Sequence, residues 1–355
     1  MAATVYYARC ALADNTAKNY ESQARSYVVF CLAFGHVPFP VADVALAMYL
    51  TFMSLTCKPQ SLRVYLSGIR DASLDAGFAW LPIGGRHFVW RTYQGLKNKN
   101  GALSKPKLPI TLELLRAFVQ NHLRMVQVVS GFFSVWWAAA LVAFFLMLRK
   151  DNVTVKKAES FNGDHNVCRG DMQPIGGTWS DPRGTIQRVV VTLRHSKTNQ
   201  DGSRVHTVVL HPVLSAQGTP DILCPVEALR VIFQPSFSSG RVDAMSPAFV
   251  VPRGGGKPAA PLTHAQFVRQ LKACIAMVPG ELPGTFMDPA EYSGHSFRRG
   301  GATLAFSLTS DHCLIKYQGD WVSMAYLGYR QLEDDFMLTL PALFAAEAAS
   351  IAGCG

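Results

Sequence analysis

The chain lacks the marks of a secreted or disulfide-built protein. Its eight cysteines, Cys10, Cys31, Cys57, Cys168, Cys224, Cys274, Cys313 and Cys354, include no CxxC pair and no compact spacing. They read as free thiols of a reducing compartment. The N-terminal stretch MAATVYYARCALADN has no basic region leading into an uninterrupted apolar segment and small-residue cleavage site, so no secretory leader is expected and the protein is read as intracellular. Acidic residues are few: 24 Asp and Glu against 34 Lys and Arg leave a formal net charge of +10, which favours a polyanionic partner over a small neutral one. Long apolar runs are scarce as well. The one exception, GFFSVWWAAALVAFFLML from Gly131 to Leu148, is long enough to consider as a membrane span. It stands alone, and polar, basic sequence follows it, so a deeply buried helix is the preferred reading and no membrane association is expected.

A length of 355 residues exceeds the usual single-domain size, so two domains are expected. The first reads as helical. Asp14 and Asn15 offer caps to a helix that places Tyr20, Ala24, Tyr27, Val28 and Cys31 on one face, and Gly35 can close it. A second helix covers Val41 to Leu55. A third begins near Pro59 and turns Leu62, Tyr65, Leu66 and Ile69 inward, leaving Arg63, Ser67 and Arg70 on a shared outer stripe. That stripe suits successive phosphates, or is an ordinary solvated face. A fourth helix, around His87 to Leu96, runs into KNKNGALSKPKLPIT. Here Lys97, Lys99, Lys105 and Lys107 mix with Gly101, Pro106 and Pro109, as in a basic interdomain linker. The expected division is a helical domain over 1–100, a linker over 101–110 and a second domain over 111–355.

In the second domain, Thr111 caps a helix that leads to the apolar one, with Arg149 expected at the end of the latter. A short strand is expected over Asn152 to Lys156, and the glycine-rich stretch Ser160 to Gly184 reads as a loop. Asp164, His165 and Cys168 in that loop have metal-ligand identities but no second pair of ligands, so no metal site is assigned. Strands Ile186 to His195 and Arg204 to His211 flank SKTNQDGS, where Asp201 and Gly202 supply turn chemistry, so they form a hairpin carrying Lys197 near its tip. Lys197 either reaches into a groove or is a plain turn lysine. Helices are expected over Pro225 to Phe233 and Thr263 to Met277. The fold class is therefore mainly α with a small β-sheet.

In SGHSFRRGGAT, His295 and Arg298 lie three apart on a helix and can meet one anion, with Arg299 on nearly the same face. In LIKYQGDWVSMAYLGYR, Trp321 precedes a short helix that Ser323 can cap, and Tyr326 and Tyr329 are three apart. One of these tyrosines can pack while the other reacts; core filling by both is the competing reading.

Taken in order, the segments NTAKNYESQARSYVVFC, SLRVYLSGIRDASLDAG, LRKDN, HSKTN, GHSFRRGGAT and QGDWVSMAYLGY resemble the tyrosine recombinase, or phage-integrase, family. The resemblance runs nearly end to end and is nearest to the DIRS-type and Crypton mobile-element branch. It implies a two-domain DNA clamp made of a helical core-binding domain and an α+β catalytic domain. It also implies a DNA recombinase or integrase that cuts and rejoins strands through a 3′-phosphotyrosyl intermediate. Arg149 and Arg298 would bind the scissile phosphate and Lys197 would protonate the leaving 5′ oxygen. His295 would assist proton transfer, Trp321 would donate its indole N–H, and Tyr329 would be the nucleophile. The Trp321 to Tyr329 separation is one residue shorter than in many relatives, which keeps Tyr326 as an alternative. No cofactor or metal is implied. The partner is double-stranded DNA, bound by a homotetramer on two duplexes, with Lys18, Arg25, Arg63, Ser67, Arg70, Lys97, Lys99, Lys105, Lys107 and Arg299 as candidate contacts. In a eukaryotic host the protein would work in the nucleus. FMLTLPALFAAEAASIA after Tyr329 is a helix candidate for docking on a neighbour or on its own domain. The competing functions are a decayed DNA-binding protein and a type IB topoisomerase-like relaxase.

Overall fold

The computed structural model describes residues 10–101, 106–125, 131–195, 199, 203–237, 243–253, 257–280 and 282–329. The chain divides into two compact units, 1–105 and 106–355.

Among its described residues the first unit holds the α-helices α1 (Asp14–Ala33), α2 (Asp43–Met53), α3 (Pro59–Asp75) and α4 (His87–Asn100). Its core joins Tyr27, Phe30 and Cys31 of α1 to Leu46, Tyr49 and Leu50 of α2, Leu62, Leu66 and Ile69 of α3, and Val89 and Tyr93 of α4. The inward face of α3 follows the apolar spacing, apart from Tyr65, which is half-buried. A Cβ at Gly68 would lie 2.8 Å from the Tyr20 carbonyl oxygen, so this glycine sets how closely α3 approaches α1. Two local expectations are corrected. Ala13 occupies the N-cap position of α1 and no side chain caps it. And α4 continues through Lys97 and Lys99 to Asn100, because nothing in KNKN breaks a helix before Gly101.

The second unit is wrapped around α6 (Gly131–Phe145), whose residues 135–144 are all buried. α5 (Leu112–Met125) precedes it, and Thr111 caps α5 by accepting the Leu114 N–H at 3.2 Å. The Trp136 indole N–H donates to the Phe267 carbonyl at 3.0 Å, which satisfies its one polar atom inside the core. Among the described residues no helix is long and apolar enough to cross a membrane. After α6 come α7 (Lys150–Val153), β1 (Met172–Ile175), β2 (Arg188–Leu193), β3 (His206–Leu210) and α8 (Pro225–Phe233). They are followed by β4 (Val250–Val251), β5 (Ala260–Pro261), α9 (His264–Ile275), α10 (His295–Leu308), α11 (His312–Gln318) and a 3-10 turn over Met324–Tyr329.

The main sheet is antiparallel in the order β1-β2-β3, with Val191 opposite both Met172 and Val208. Along β2, Val189, Val191 and Leu193 point into the core, the period-two pattern of a sheet with one buried face. β1 lies inside the stretch read as a loop: MQPI has little strand signal and is ordered by pairing with β2. The strand expected over Asn152 to Lys156 is instead the short helix α7, followed by a single parallel bridge from Val155 to Thr263. The reason is local. The Asn152 carboxamide accepts the Arg149 N–H at 3.2 Å, and the Thr154 hydroxyl donates to the Lys150 carbonyl at 2.6 Å, so polar side chains turn a β-branched segment. Leu108 and Ile110 pack in this unit, their N–H groups donating to the carbonyls of Glu291 and Ser296 at 2.9 and 3.0 Å.

Candidate active site

The site is assembled where α10 meets the end of α6. Gly300 and Gly301 make that meeting possible. A Cβ on Gly300 would lie 1.8 Å from the Ile110 carbonyl oxygen, and one on Gly301 2.1 Å from that of Phe144. The pair therefore lets α10 approach backbone to backbone, which fixes where Arg298, two residues before Gly300, and His295, five residues before it, stand on the same helix.

α6 ends at Phe145, not at Leu148. Met147 then takes a left-handed conformation, φ 50°, and reverses the chain so that Arg149 sits, half-buried, in extended backbone just before α7. Arg298 is 1 % exposed. Its guanidinium donates to the Met147 carbonyl and lies 3.9 Å from the centre of the Trp321 ring. A buried cation is tolerated here because a carbonyl and an aromatic face replace part of its hydration. Trp321 reaches that position by folding back over Gly319, where a Cβ would lie 1.7 Å from the indole, so the glycine of the Gly-Asp-Trp step is required by contact.

His295 is exposed at the start of α10. Partial burial, together with the charges of Arg298, Lys150 and Arg149, pushes its pKa below the ordinary histidine value against the opposing pull of Asp151. Arg298 bonds the carbonyl of Met147, two residues before Arg149, and His295 stands three residues before Arg298 on α10; with its value lowered, the His295 imidazole is neutral near neutral pH. Ser323 accepts the Ala325 N–H at 3.3 Å at the start of the 3-10 turn. Tyr326 is the packing tyrosine: it is buried, its ring stacks on Phe306 at 6.0 Å, and its hydroxyl lies 3.1 Å from His312 Nδ1. The backbone of Tyr329 completes the turn. Its side chain lies outside the described residues, as do Lys197, the Asp201-Gly202 turn, Lys105 and the FMLTLPALFAAEAASIA segment.

Three groups beside His295 were not legible as a set. Lys150 and His264 Nε2 both pair with Asp151, at 2.5 and 3.1 Å. The Lys150 stem also packs on Gly294, where a Cβ would meet it at 2.8 Å. Burial first, then Lys150, lowers the His264 pKa against Asp151. The Asp151 carboxyl is held below its usual range: desolvation opposes this, and the hydrogen bond and charge of Lys150 outweigh it. His264 is 114 positions from Lys150, and no local motif announces the pairing. Asn199 is another missed residue. Buried between the strands of the hairpin, its amide donates to the carbonyls of Arg194 (2.9 Å) and Arg204, and it accepts the Arg204 N–H at 3.1 Å.

In the first unit Lys18, Arg25, Arg63, Arg70, Lys97 and Lys99 are exposed, with Arg25 paired to Glu21 at 2.7 Å. Ser67 is half-buried and its hydroxyl donates to the Arg63 carbonyl at 3.2 Å. In the second unit Lys107 donates to the Ala290 carbonyl at 2.5 Å and Arg299 is half-buried.

The described residues as a whole are mostly helical with a small antiparallel sheet, a fold shared with solved structures of tyrosine recombinases. Solved structures with this fold include the Tn1549 transposon integrase in complex with transposon right end DNA (TM-score 0.56, 13% identity, 97% of this chain and 98% of that one). The XerH site-specific recombinase on a palindromic difH substrate, a post-cleavage complex, aligns at TM-score 0.53 and 14% identity over 95% of this chain and 80% of that one. A lambda integrase tetramer bound to a Holliday junction aligns at 0.52 and 14%, over 90% and 72%. No protein-family model matches the chain, and no curated protein matches it.

Proposed function

We propose that the protein is a site-specific DNA recombinase or integrase that cuts and rejoins DNA through a 3′-phosphotyrosyl intermediate, in the service of a mobile element. The observation that carries this reading is the convergence of Arg149, His295, Arg298 and Trp321 from three separate parts of the second unit, with Tyr329 on the turn that follows Trp321.

In this reading the two guanidinium groups bind the non-bridging oxygens of one phosphate and offset the charge that develops on them. Arg298 lies beneath the indole, so phosphate binding requires Trp321 to tilt and offer its N–H edge. The Tyr329 phenol oxygen attacks phosphorus as its proton passes to the neutral His295 imidazole. The bond to the 5′ oxygen breaks, and Lys197 supplies that oxygen with a proton. Phosphodiester energy is kept in the tyrosyl linkage, so rejoining needs no nucleotide cofactor, and the cationic side chains supply the charge stabilisation that metal ions give other phosphoryl transferases. Lys18, Arg25, Arg63, Arg70, Lys97, Lys99, Lys105, Lys107 and Arg299 supply duplex contacts in a clamp. Recombination proceeds in a homotetramer joining two duplexes; the solved lambda integrase tetramer is bound to a Holliday junction.

The test is covalent trapping. Wild type and Tyr329→Phe are incubated in EDTA with a randomised pool of labelled, nicked duplexes, and denaturation-resistant adducts are resolved. An adduct with wild type that the variant does not form supports the reading; duplex binding without any adduct points to a decayed DNA-binding protein instead.

A further inference from the structure

We propose that the ion pair between Arg204 and Asp320 is the positioning element for Trp321, tying the β2–β3 hairpin to the Gly319-Asp320-Trp321 turn and fixing the pivot from which the indole swings. The two residues are 116 positions apart. Arg204 lies just before β3, where Asn199 grips its N–H and carbonyl, so its backbone is set by the hairpin. Asp320 is 4 % exposed and left-handed, φ 51°. Its N–H donates to the Tyr317 carbonyl and that of Trp321 to the Lys316 carbonyl, each at 3.0 Å. An acid buried this deeply needs a fixed countercharge, and the Arg204 guanidinium provides it.

A second strut runs parallel to the first. The Tyr317 hydroxyl donates to the Thr207 carbonyl at 3.0 Å, and the His206 ring meets the Tyr317 ring edge to face at 4.8 Å. The C-terminal end of α11 is thereby held to β3 through Tyr317, while the ion pair holds the residue immediately before the tryptophan. Trp321 in turn touches Arg298 on one side and lies 5.9 Å from the Tyr326 ring on the other. A change at Arg204 is thus transmitted to the indole through one residue, Asp320. The catalytic consequence rests on the recombinase reading; the positional claim does not.

The experiment replaces the six tryptophans with fluorotryptophan and follows the fluorine NMR line that disappears in Trp321→Phe. Arg204→Ala and Asp320→Asn, the latter keeping both shape and tolerance of the left-handed backbone, should shift and broaden that line. The remaining lines, which report the fold, should hold, and Arg204→Lys should restore it. An unmoved Trp321 line, or all lines moving together, overturns the proposal. In the trapping assay, Arg204→Ala should slow adduct formation about tenfold with duplex affinity nearly unchanged, and should cost nothing further once Trp321→Phe is present. Equal slowing on both backgrounds, or a faster variant, also overturns it. Should wild type form no adduct while the fluorine line responds as expected, the recombinase reading fails and the positioning role stands.

Discussion

His295 and Arg298 stand three positions apart, yet the structure gives them opposite environments: one exposed at the helix start, the other sealed under an indole. A neutral imidazole beside the guanidinium groups can accept a proton, and burial first, then the neighbouring cations, favour that neutral form. The acid limb of the cleavage pH profile is therefore expected below the ordinary histidine range, and His295→Gln should remove that limb along with most of the rate. A limb at or above the ordinary value would show that a different group titrates. The order of these residues along the chain was legible. Their environments were not: Arg298 and Arg299 look alike in sequence, and only the packing under Trp321 singles out the former. The Lys150, Asp151 and His264 set was hidden because it exists only after α7 and α9 are brought together.

At the scale of elements, the paired glycines of α10 carry the strongest prediction. Gly300→Ala would drive a methyl group into the Ile110 carbonyl, a backbone atom that cannot step aside. The expected cost is on the order of 3 kcal/mol, read as a lowered denaturant midpoint with an unchanged slope; a neutral effect would mean that α10 shifts freely. Helices were the legible part of the fold: α3 follows from apolar spacing after Pro59, and α6 from an unbroken apolar run, though not its end. The irregular stretches were harder. Asn152 and Thr154 turn a β-branched segment into α7 by side-chain hydrogen bonds, and β1 becomes a strand only because β2 offers it an edge. Met147 cuts α6 short by adopting a left-handed backbone that an apolar sequence gives no reason to expect.

At the scale of the molecule, His122 and His206 sit in surroundings that favour the neutral imidazole. His122 stacks on Phe133 at 3.5 Å and His206 is buried; burial lowers the pKa of both. With folded values below unfolded ones, the unfolded state binds more protons as pH drops through the histidine range. Stability is intact above the ordinary value and declines below it, with the loss complete once the folded values are passed. Thermal unfolding should thus move to lower temperature between about pH 7.5 and 5.5, and less so in His206→Gln; a midpoint that stays flat over that range would contradict this. The excess of basic residues, read from composition, bears on partners and not on the fold.

The most direct test of the central claim is to identify the atom that carries the DNA. Wild-type adduct formed on nicked duplexes should be digested and the nucleotide-bearing peptide sequenced by mass spectrometry. The account predicts a 3′-phosphate esterified to Tyr329, with Tyr326 unmodified behind His312 and Phe306. A nucleotide on Tyr326 or on any other residue, or no linked peptide from a protein that binds duplex tightly, would contradict it.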